Sequence, residues 1–340
     1  MLISLKQRYG SLSRLDRVVV MGILLLASVF PVELFPNTIA PPKGADGQYS
    51  AKQGQVVVIR LPDIPAATKV VGHFRGRSIP MFPDPDRNGV SAYVGLLGID
   101  LQDEPGTHEL KVDIQTGESI RRRSINVLVV KEQFAVEHLK LPKDKVDLDD
   151  KAAARWKAEQ DQIRKALAEE SAMRLWQTGF VEPVRGRRTG IFGSVRIMNG
   201  QARNPHSGED IGAPTGTDVV ASNDGVVRLT VDHIFSGRGI YLDHGMGLYS
   251  MYFHLSDVLV RDGDLVKSGQ VIGKVGATGR ATGPHLHWGA KINGARVNPY
   301  ALLDLPFPRI TTMTEPVLAS PAIPAREEDS SPTASGDDSR

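Results

Sequence analysis

Hydrophobic and polar residues alternate with the period of β-strands in two separate stretches of this chain. In the first stretch the strand candidates are residues 55–60, 69–74, 93–97, 108–114 and 124–130. In the second stretch they are residues 218–221, 225–231, 239–243, 248–255, 270–275 and 285–290. Short strands at regular spacing are typical of all-β domains. The pattern therefore predicts a β-sandwich-like module over residues 41–135 and a compact antiparallel domain over residues 180–305.

The residues between these two stretches predict a helical linker over residues 144–178. From Asp147 to Thr178 the chain contains no Gly or Pro and is rich in Ala, Glu, Lys, Arg and Gln. We expect Asp147 or Asp149 to cap the start of one long helix or two short ones, and Gly179 to end it. The apolar positions form a stripe that is too irregular for a sustained coiled coil. They are Trp156, Ile163, Ala166, Leu167 and Leu175.

Two turn segments in the first stretch refine this fold class. The segment Pro105-Gly106-Thr107-His108, followed by an alternating strand, resembles the penultimate hairpin of an immunoglobulin-like module. Residues 84–89 match the start of an EF-hand loop, but Gly95 stands where calcium binding requires Glu, which favours a polar turn. The sequence thus predicts a mainly β protein with a helical linker, an N-terminal immunoglobulin-like β-sandwich and a C-terminal antiparallel β domain.

Both ends of the chain differ from the rest. Four basic residues precede an apolar run of 13 residues, Val18–Phe30. This run is shorter than the roughly 20 residues that span a bilayer, and it predicts a signal peptide or an uncleaved signal anchor over residues 1–36. The composition of residues 306–340 is dominated by Pro, Ser, Thr, Asp and Glu, which predicts a disordered tail.

Composition limits the possible chemistry. The formal net charge of +2 arises from 41 basic and 39 acidic residues, which argues against a nucleic-acid-binding protein. The short basic runs at residues 121–123 and 185–188 are read as solvated surface. The chain has no cysteine, so any zinc site must use histidine and carboxylate ligands.

Four histidines and one aspartate of the second stretch are the candidate chemical groups. His206 and Asp210 are four residues apart, His285 and His287 are two apart, and His254 lies between the two pairs. Two neutral imidazoles and one carboxylate can hold a metal ion with an open fourth position, which is typical of a catalytic zinc. The other two imidazoles remain for proton transfer. This set favours a hydrolase.

Strand alternation predicts how these side chains are oriented. His285 and His287 share one face of their strand, and Leu286 and Trp288 share the other. In the strand over residues 248–255, His254 is predicted to share a face with Tyr252. The alternate residues, Met251, Phe253 and Leu255, are predicted to face a core.

Several motifs closely resemble those of the M23 metallopeptidases, the lysostaphin/LytM-like peptidoglycan endopeptidases. They are Pro205-His206-Ser207-Gly208-Glu209-Asp210-Ile211, Asp243-His244-Gly245, Tyr252-Phe253-His254-Leu255-Ser256 and Gly283-Pro284-His285-Leu286-His287-Trp288. The resemblance covers roughly residues 180–304. It implies that His206, Asp210 and His287 bind one zinc ion per chain. It also implies that His285 is the general base or acid and that His254 is its partner near the oxyanion.

The resemblance implies a periplasmic enzyme of the cell envelope that hydrolyses peptide cross-links of bacterial peptidoglycan, with D-Ala–diaminopimelate as the expected bond. Its partners would be peptidoglycan stem peptides, the inner membrane through the N-terminal segment, and an envelope regulator. The β module is expected to position or gate the catalytic domain. His244 is read as structural and His233 as a surface residue, although His233 also suits the edge of the groove.

One departure from the family pattern concerns a tyrosine that some members carry shortly before the first ligand. Residues 198–205 contain no tyrosine, and Asn199, Arg203 and Asn204 are the candidates to replace it. Two rival readings remain. A non-catalytic M23-type activator of a cell-wall amidase is disfavoured because such proteins typically lose metal ligands. A lipoyl or biotinyl carrier hairpin around Lys267 leaves the histidines unexplained.

Overall fold

The computed structural model describes residues 48–62, 64, 67, 69–83, 92–140, 147–169 and 171–307. Three predicted segments lie outside the described residues: the signal or anchor over residues 1–36, the turn over residues 84–89, and all but the start of the tail over residues 306–340. In the part of the chain that is described, no helix is long and apolar enough to span a membrane.

Seven strands near the amino terminus form one hydrogen-bonded path, the first sheet. They are β1 (Tyr49–Lys52), β2 (Val56–Leu61), β3 (Lys69–Phe74), β4 (Arg77–Pro83), β5 (Tyr93–Gly98), β6 (Gly106–Thr116) and β7 (Ser119–Val130). Their order is β1-β7-β6-β3-β4-β5-β2, and β1 and β7 are the parallel pair. All seven strands contribute buried apolar side chains to one cluster, so the first sheet encloses its own core.

The alternation pattern predicts five of these seven strands. It misses β1, which has four residues, and β4, which contains Pro80 and Pro83 and therefore does not read as a strand. The mainly β prediction is confirmed, whereas the immunoglobulin-like arrangement stays a prediction.

Fourteen further strands follow. They are β8 (Val136–Leu139), β9 (Arg187–Gly190), β10 (Val195–Met198), β11 (Gln201–Ala202), β12 (Gly208–Gly212), β13 (Asp218–Val220), β14 (Gly225–His233), β15 (Gly237–Gly245), β16 (Leu248–Leu255), β17 (Asp257–Val258), β18 (Leu265–Val266), β19 (Val271–Lys274), β20 (His285–Ile292) and β21 (Ala295–Val297). A 3-10 helix, Pro299–Leu302, follows β21.

Eight of these strands form the second sheet, in the order β18-β14-β15-β16-β20-β12-β9 with β21 also paired to β20. All of its neighbouring strands are antiparallel, as the pattern predicts. Two small sheets, β11-β10-β8 and β13-β19-β17, flank it. In the first of these, β8 follows directly from the first sheet and runs parallel to β10.

The described residues of the linker include the helix α1 (Asp150–Ala168). The Asp149 side chain caps it by accepting a hydrogen bond of 2.7 Å from the Ala152 N–H. The expectation that the helix continues to Gly179 was wrong. Beyond α1 the backbone bonds to the end of β15 instead, because the Leu175 N–H donates to the His244 carbonyl and the Met246 N–H to the Ser171 carbonyl.

Helix α1 packs against β14 and β15. Its apolar residues Ile163, Ala166 and Leu167 contact a small cluster on the outer face of the second sheet. Trp156, although part of the predicted stripe, is exposed. His233 lies buried beneath the helix with Nε2 3.0 Å from Gln162 Oε1, so the prediction of a surface histidine was wrong.

The first and second sheets share a buried apolar cluster, which we call the shared cluster. It joins Val56, Val58, Phe82, Val94 and Leu96 of the first sheet to Trp176, Phe180, Leu248, Ala290, Ile292, Ala295, Val297, Leu302, Leu305 and Phe307. An ion pair reinforces this contact, with Arg296 Nη2 at 2.6 Å from Asp100 Oδ1. The first sheet is therefore fixed to the second through a packed core.

Candidate metal centre

Strands β12 and β20 bring three of the predicted groups together. Their antiparallel register places Asp210 opposite His287, and Gly212 opposite His285. His206, just before β12, completes the group, since its Nε2 lies 2.9 Å from His287 Nδ1 and 3.0 Å from Asp210 Oδ1. His287 Nδ1 lies 2.9 Å from the same carboxylate oxygen. Two nitrogen atoms and one oxygen atom therefore converge on one point.

This spacing suits a metal ion. Ligand atoms of a tetrahedral zinc site lie about 2.0–2.1 Å from the metal, and therefore about 3.3 Å from one another. The three atoms here are 2.9–3.0 Å apart and their residues are largely withdrawn from solvent. Imidazole nitrogen and carboxylate oxygen are also the donor types that zinc accepts when cysteine is absent. The residues present fit a metal with three protein ligands.

Hydrogen bonds fix the orientation of His206. Its Nδ1 lies 3.0 Å from the Ile191 carbonyl oxygen. Because a carbonyl oxygen only accepts, Nδ1 carries the proton, and Nε2 directs its lone pair at the other two ligands.

Arg196 is a residue of the site that sequence reasoning missed. It extends from β10, and its Nη2 donates to Asp210 Oδ2 at 2.7 Å, while Nε donates to Glu137 on β8 at 3.3 Å. Oδ1 of Asp210 thus remains directed at the histidines. Burial acts to raise the pKa of Asp210, but the hydrogen bonds and charges of His206 and His287 hold it well below its usual range.

The candidates to replace the family tyrosine lie around the β10–β11 hairpin. Asn199 occupies its turn with a φ of 50°, and Arg203 lies 3.7 Å from Asp147. Asn204 is exposed. The side chain that reaches Asp210 from this hairpin is Arg196.

Two glycines permit the close packing of the ligands. A Cβ atom on Gly208 would lie 2.6 Å from His287 Nε2 and 2.5 Å from the Trp288 carbonyl oxygen. A Cβ atom on Gly190 would lie 2.3 Å from Asp210 Oδ2. A larger residue at either position would displace a ligand, which explains why each position is glycine.

The other two histidines lie beside the ligand group. His285 Nε2 is 3.7 Å from Asp210 Oδ1, and the ring centroids of His254 and His285 are 4.7 Å apart. His285 Nδ1 donates to the Gly283 carbonyl and His254 Nδ1 to the Thr278 carbonyl, each at 2.8 Å. Each ring therefore has its proton on Nδ1 and offers an acceptor at Nε2.

The predicted orientation of His285 and His287 matches the structure, because Leu286 and Trp288 are buried in the core of the second sheet. For β16 the prediction is confirmed in part. Leu255 faces that core, and Met251 and Phe253 pack against the small cluster under α1. Tyr252 does not share a face with His254 but is buried in the core of the second sheet, and Phe253 also stacks on the His287 ring with an interplanar angle of 14°.

A β-bulge causes this difference. Between Ile240 and Arg238 of β15, the partner residues on β16 advance from Tyr252 to Leu255, so β16 contains an extra residue. His254 occupies the bulge with a φ of 64°, a left-handed conformation that non-glycine residues seldom adopt. The irregular backbone rotates His254 away from the core and toward His285.

Burial, followed by the charges of His287 and His285, lowers the pKa of His254 to about 3. The ring is therefore neutral at neutral pH. The imidazoles of His254 and His285 lie beside the three-ligand group, where imidazole side chains can take part in proton transfer.

His244 is buried away from this group of interactions. Its Nδ1 donates to the Asp224 carbonyl at 2.7 Å, and its Nε2 lies 2.7 Å from Ser250 Oγ. Burial lowers its pKa to about 4. These bonds give His244 a structural place between β15 and β16. Lys267 of the carrier-like hairpin pairs with Asp224 at 2.8 Å.

Residues 204–299 match the model of Peptidase family M23. Over 94 residues the chain is 46% identical to the peptidoglycan DD-endopeptidase ShyA of Vibrio cholerae serotype O1, which covers 28% of this chain and 22% of that protein. Over 115 residues it is 43% identical to the DD-carboxypeptidase/endopeptidase Mpg of Neisseria meningitidis serogroup B, covering 34% of this chain and 26% of that protein. The chain thus spans about a quarter of the length of these curated relatives.

A solved structure from Pseudomonas aeruginosa, described as a peptidase M23, is similar over a larger part of the chain. It has a TM-score of 0.58 and 28% identity, and it covers 74% of this chain and 94% of that chain. The shared fold therefore extends beyond the segment that matches the family model. The resemblance inferred from the motifs is confirmed, because residues 204–299 match the model of that family.

Proposed function

We propose that this protein is a zinc-dependent endopeptidase that hydrolyses peptide cross-links of bacterial peptidoglycan. The observation that carries the proposal is the convergence of His206, Asp210 and His287 within 2.9–3.0 Å, with the imidazoles of His254 and His285 beside them. The names of the relatives from Vibrio cholerae and Neisseria support a bond between D-configured centres as the substrate. The D-Ala–diaminopimelate cross-link is such a bond.

His206, Asp210 and His287 would hold one zinc ion through Nε2, Oδ1 and Nδ1. Bound zinc lowers the pKa of a water molecule to about 7 and so supplies a nucleophile at neutral pH. Arg196 keeps the second oxygen of Asp210 occupied, so that one carboxylate oxygen is directed at the metal. The Ile191 carbonyl orients the His206 ring, because it holds the proton on Nδ1 and leaves the lone pair of Nε2 for the metal.

His285 is the proposed general base because its acceptor nitrogen is 3.7 Å from Asp210 Oδ1, at the edge of the ligand group. His285 would accept a proton at Nε2 from the attacking water molecule and pass it to the amine that leaves. His254 has an acceptor at Nε2 in its neutral form, so it can donate toward the substrate carbonyl oxygen only after protonation. The role of His254 as a partner near the oxyanion thus depends on proton sharing with His285.

The proposed architecture is a module over residues 41–135, a linker over residues 144–178 and a peptidase domain over residues 180–305. The shared cluster supports a module that positions the peptidase domain. We place the protein in the periplasm of the cell envelope, with residues 1–36 as an export signal or inner-membrane anchor. An envelope regulator remains a proposed partner.

The test combines metal content with turnover. The purified protein should contain about one zinc per chain and release smaller muropeptides from sacculi. His287→Ala should lose the metal, whereas His285→Ala should keep it and lose turnover. Intact sacculi after incubation with zinc-loaded wild-type protein, together with increased activity of an added amidase, would replace the proposal with the activator alternative.

A further inference from the structure

The loop between β19 and β20 carries an arginine that the proposed reaction does not use. The carbonyl oxygens of Thr278 and Gly283 in this loop hold the Nδ1 protons of His254 and His285, each at 2.8 Å. Arg280 lies between these two residues in the sequence. The loop that orients both auxiliary histidines therefore also presents a guanidinium group.

A neighbouring turn fixes the position of Arg280. The Arg280 N–H donates to the Phe235 carbonyl at 2.8 Å, and its guanidinium carbon lies 4.1 Å from the centroid of the Phe235 ring. The next residue, Ser236, accepts a hydrogen bond of 2.9 Å from the backbone N–H of His254. Arg280 and Phe235 thus form part of the wall that shapes the His254 bulge.

The Phe235 turn is itself braced by α1. The Glu159 carboxylate accepts from the Ile234 N–H at 3.0 Å, and Arg155 Nη2 donates to the Asp232 carbonyl at 2.8 Å. This turn also meets the Arg280 loop without room for side chains, because a Cβ atom on Gly279 would lie 2.3 Å from the Gly237 nitrogen. The position of the Arg280 guanidinium is therefore fixed by a closely packed turn that α1 supports.

The arginines near this turn differ in their ion pairs. Arg196 pairs with Asp210 and Glu137, and Arg203 pairs with Asp147. Arg280 is half-buried, and among the described residues no carboxylate forms an ion pair with it. Burial, followed by the charges of Arg196 and Arg203, lowers the pKa of Arg280.

A partly desolvated cation without a counter-charge costs free energy, and a bound anion would offset that cost. The planar guanidinium binds carboxylates with two parallel hydrogen bonds, and an aromatic ring beneath it leaves its edge free for such a ligand. Arg196 is already engaged by Asp210, so Arg280 is the group available to an incoming anion.

We propose that Arg280, supported by Phe235, binds a carboxylate of the peptide substrate adjacent to the scissile bond. This inference rests on the proposed function. In a D-Ala–diaminopimelate cross-link, the carbon attached to the scissile nitrogen carries a free carboxylate. The terminal carboxylate of a D-Ala residue is the other source of the same chemistry.

The experiment compares three cross-linked muropeptide dimers. One has its carboxylates intact, one has the diaminopimelate carboxylate next to the cross-link amidated, and one lacks the terminal D-Ala carboxylate. They are tested on the zinc-loaded wild-type protein, on Arg280→Gln and Arg280→Lys, and on Arg261→Gln, an exposed arginine of the same domain, as the matched control.

A charge-assisted pair contributes enough to predict that amidation lowers wild-type kcat/KM about 10- to 100-fold, chiefly through KM. Arg280→Gln should show that same loss on the intact dimer and no discrimination against the amidated one. Arg280→Lys should be intermediate, and Arg261→Gln should match wild type. If removal of the terminal carboxylate has the effect instead, the terminal D-Ala is the source.

Binding of the same dimers by calorimetry, in a His285→Ala background, reads the carboxylate contact without turnover. If Arg280→Gln still binds the intact dimer more tightly than the amidated one, as the wild type does, the inference is overturned and the proposed function is unaffected. If the binding depends on Arg280 but the zinc-loaded wild-type protein cleaves no dimer, the proposed function is overturned and the carboxylate contact is supported. Binding that ignores every carboxylate would also overturn the inference.

Discussion

The two large sheets of this protein use similar strands to build different interiors. The core of the first sheet consists of apolar side chains, and among the described residues of that sheet and its loops the buried charged group is Asp103. The second part of the molecule buries many polar groups. They are Ser194, His206, Glu209, Asp210, Ser222, Asn223, His233, Asp243, His244, Ser250, His254 and His287.

Buried polar groups cost free energy unless they are paired, so each of these groups needs a partner. In the second sheet, some form permanent bonds, such as Glu209, whose carboxylate accepts from Arg188 Nε at 3.0 Å and from Asn298 at 3.2 Å. Others, at the metal centre, face one another across 2.9–3.0 Å. The first sheet has an apolar interior and contributes its stability to the second through the shared cluster.

Removal of the first sheet gives the largest expected effect. A chain lacking residues 41–135 exposes Phe180, Leu248 and Ile292, which the first sheet covers. Each large apolar side chain contributes about 1.5–3 kcal/mol on burial, and a whole domain has only about 5–15 kcal/mol of stability. We expect the shortened protein to lose its cooperative thermal transition, as measured by circular dichroism.

The full-length chain with Arg121→Gln, a change on the outer face of the first sheet, serves as the control and should keep its transition. A shortened protein that melts like the full-length chain and cleaves sacculi faster would show that the first sheet gates the site. The position of the shared cluster argues for support instead.

The variant His254→Ala tests the polar interior of the second part of the molecule. The variant removes one of the two proton-accepting rings and no proposed ligand, so we expect turnover to fall about 10²- to 10⁴-fold while zinc content stays the same. Metal analysis and muropeptide release measure the two quantities. His73→Ala, which removes an exposed histidine of the first sheet, should leave both unchanged. Loss of zinc from His254→Ala would make His254 a ligand.

The pH dependence of stability distinguishes the two interiors further. Burial lowers the folded-state pKa of His244 to about 4, whereas an unfolded histidine titrates near 6.5. Between these values the unfolded chain binds more protons, so this contribution is complete above pH 6.5 and is lost as the pH falls to about 4. The shift corresponds to about 3 kcal/mol of unfolding free energy.

Urea unfolding of the metal-free protein across this range measures the effect. His244→Gln should be less stable at pH 7 but should show a flatter dependence on pH between 6.5 and 4. His73→Gln should retain the wild-type slope. An unchanged slope in His244→Gln would assign the acid sensitivity to other groups.

The sequence was sufficient for the parts of the site that obey a regular period. Alternation along β20 correctly separates His285 and His287 from Leu286 and Trp288. The spacing of the motifs also assigns His206 and Asp210 to the group of metal ligands. Strand β12, which carries Asp210, was not predicted because its sequence Gly-Glu-Asp-Ile-Gly is buried on both faces and shows no alternation.

The remainder depends on tertiary contacts that leave no local signal. The bulge at His254 arises from a shift in pairing with β15, which the sequence of β16 alone does not specify. The end of α1 at Ala168 is set by backbone bonds to β15 and not by the next glycine. The contact between Arg196 and Asp210 exists because β10 pairs with β8, the strand that leaves the first sheet.

The variant Arg196→Gln tests the contact between Arg196 and Asp210, and its expected effect is the smallest of those predicted. The metal centre and the first sheet each have an arginine–aspartate pair of similar length. Arg196 and Asp210 are 2.7 Å apart in the site, and Arg122 and Asp113 are 2.6 Å apart on the surface of the first sheet. Partners of a metal ligand typically affect metal affinity about 10- to 100-fold, whereas exposed pairs contribute about 0–1 kcal/mol to stability. We therefore expect Arg196→Gln to weaken zinc binding in a chelator competition by about 10- to 100-fold.

Arg122→Gln, the matched variant, should leave zinc affinity unchanged. Glu137→Gln should have a weaker effect than Arg196→Gln, because Glu137 acts on the ligand only through the guanidinium, at 3.3 Å from Arg196 Nε. Equal zinc affinities in all three variants would mean that β8 merely covers the site. A graded series would mean instead that the strand leaving the apolar sheet helps to orient a metal ligand in the polar one, so that the two interiors cooperate at Asp210.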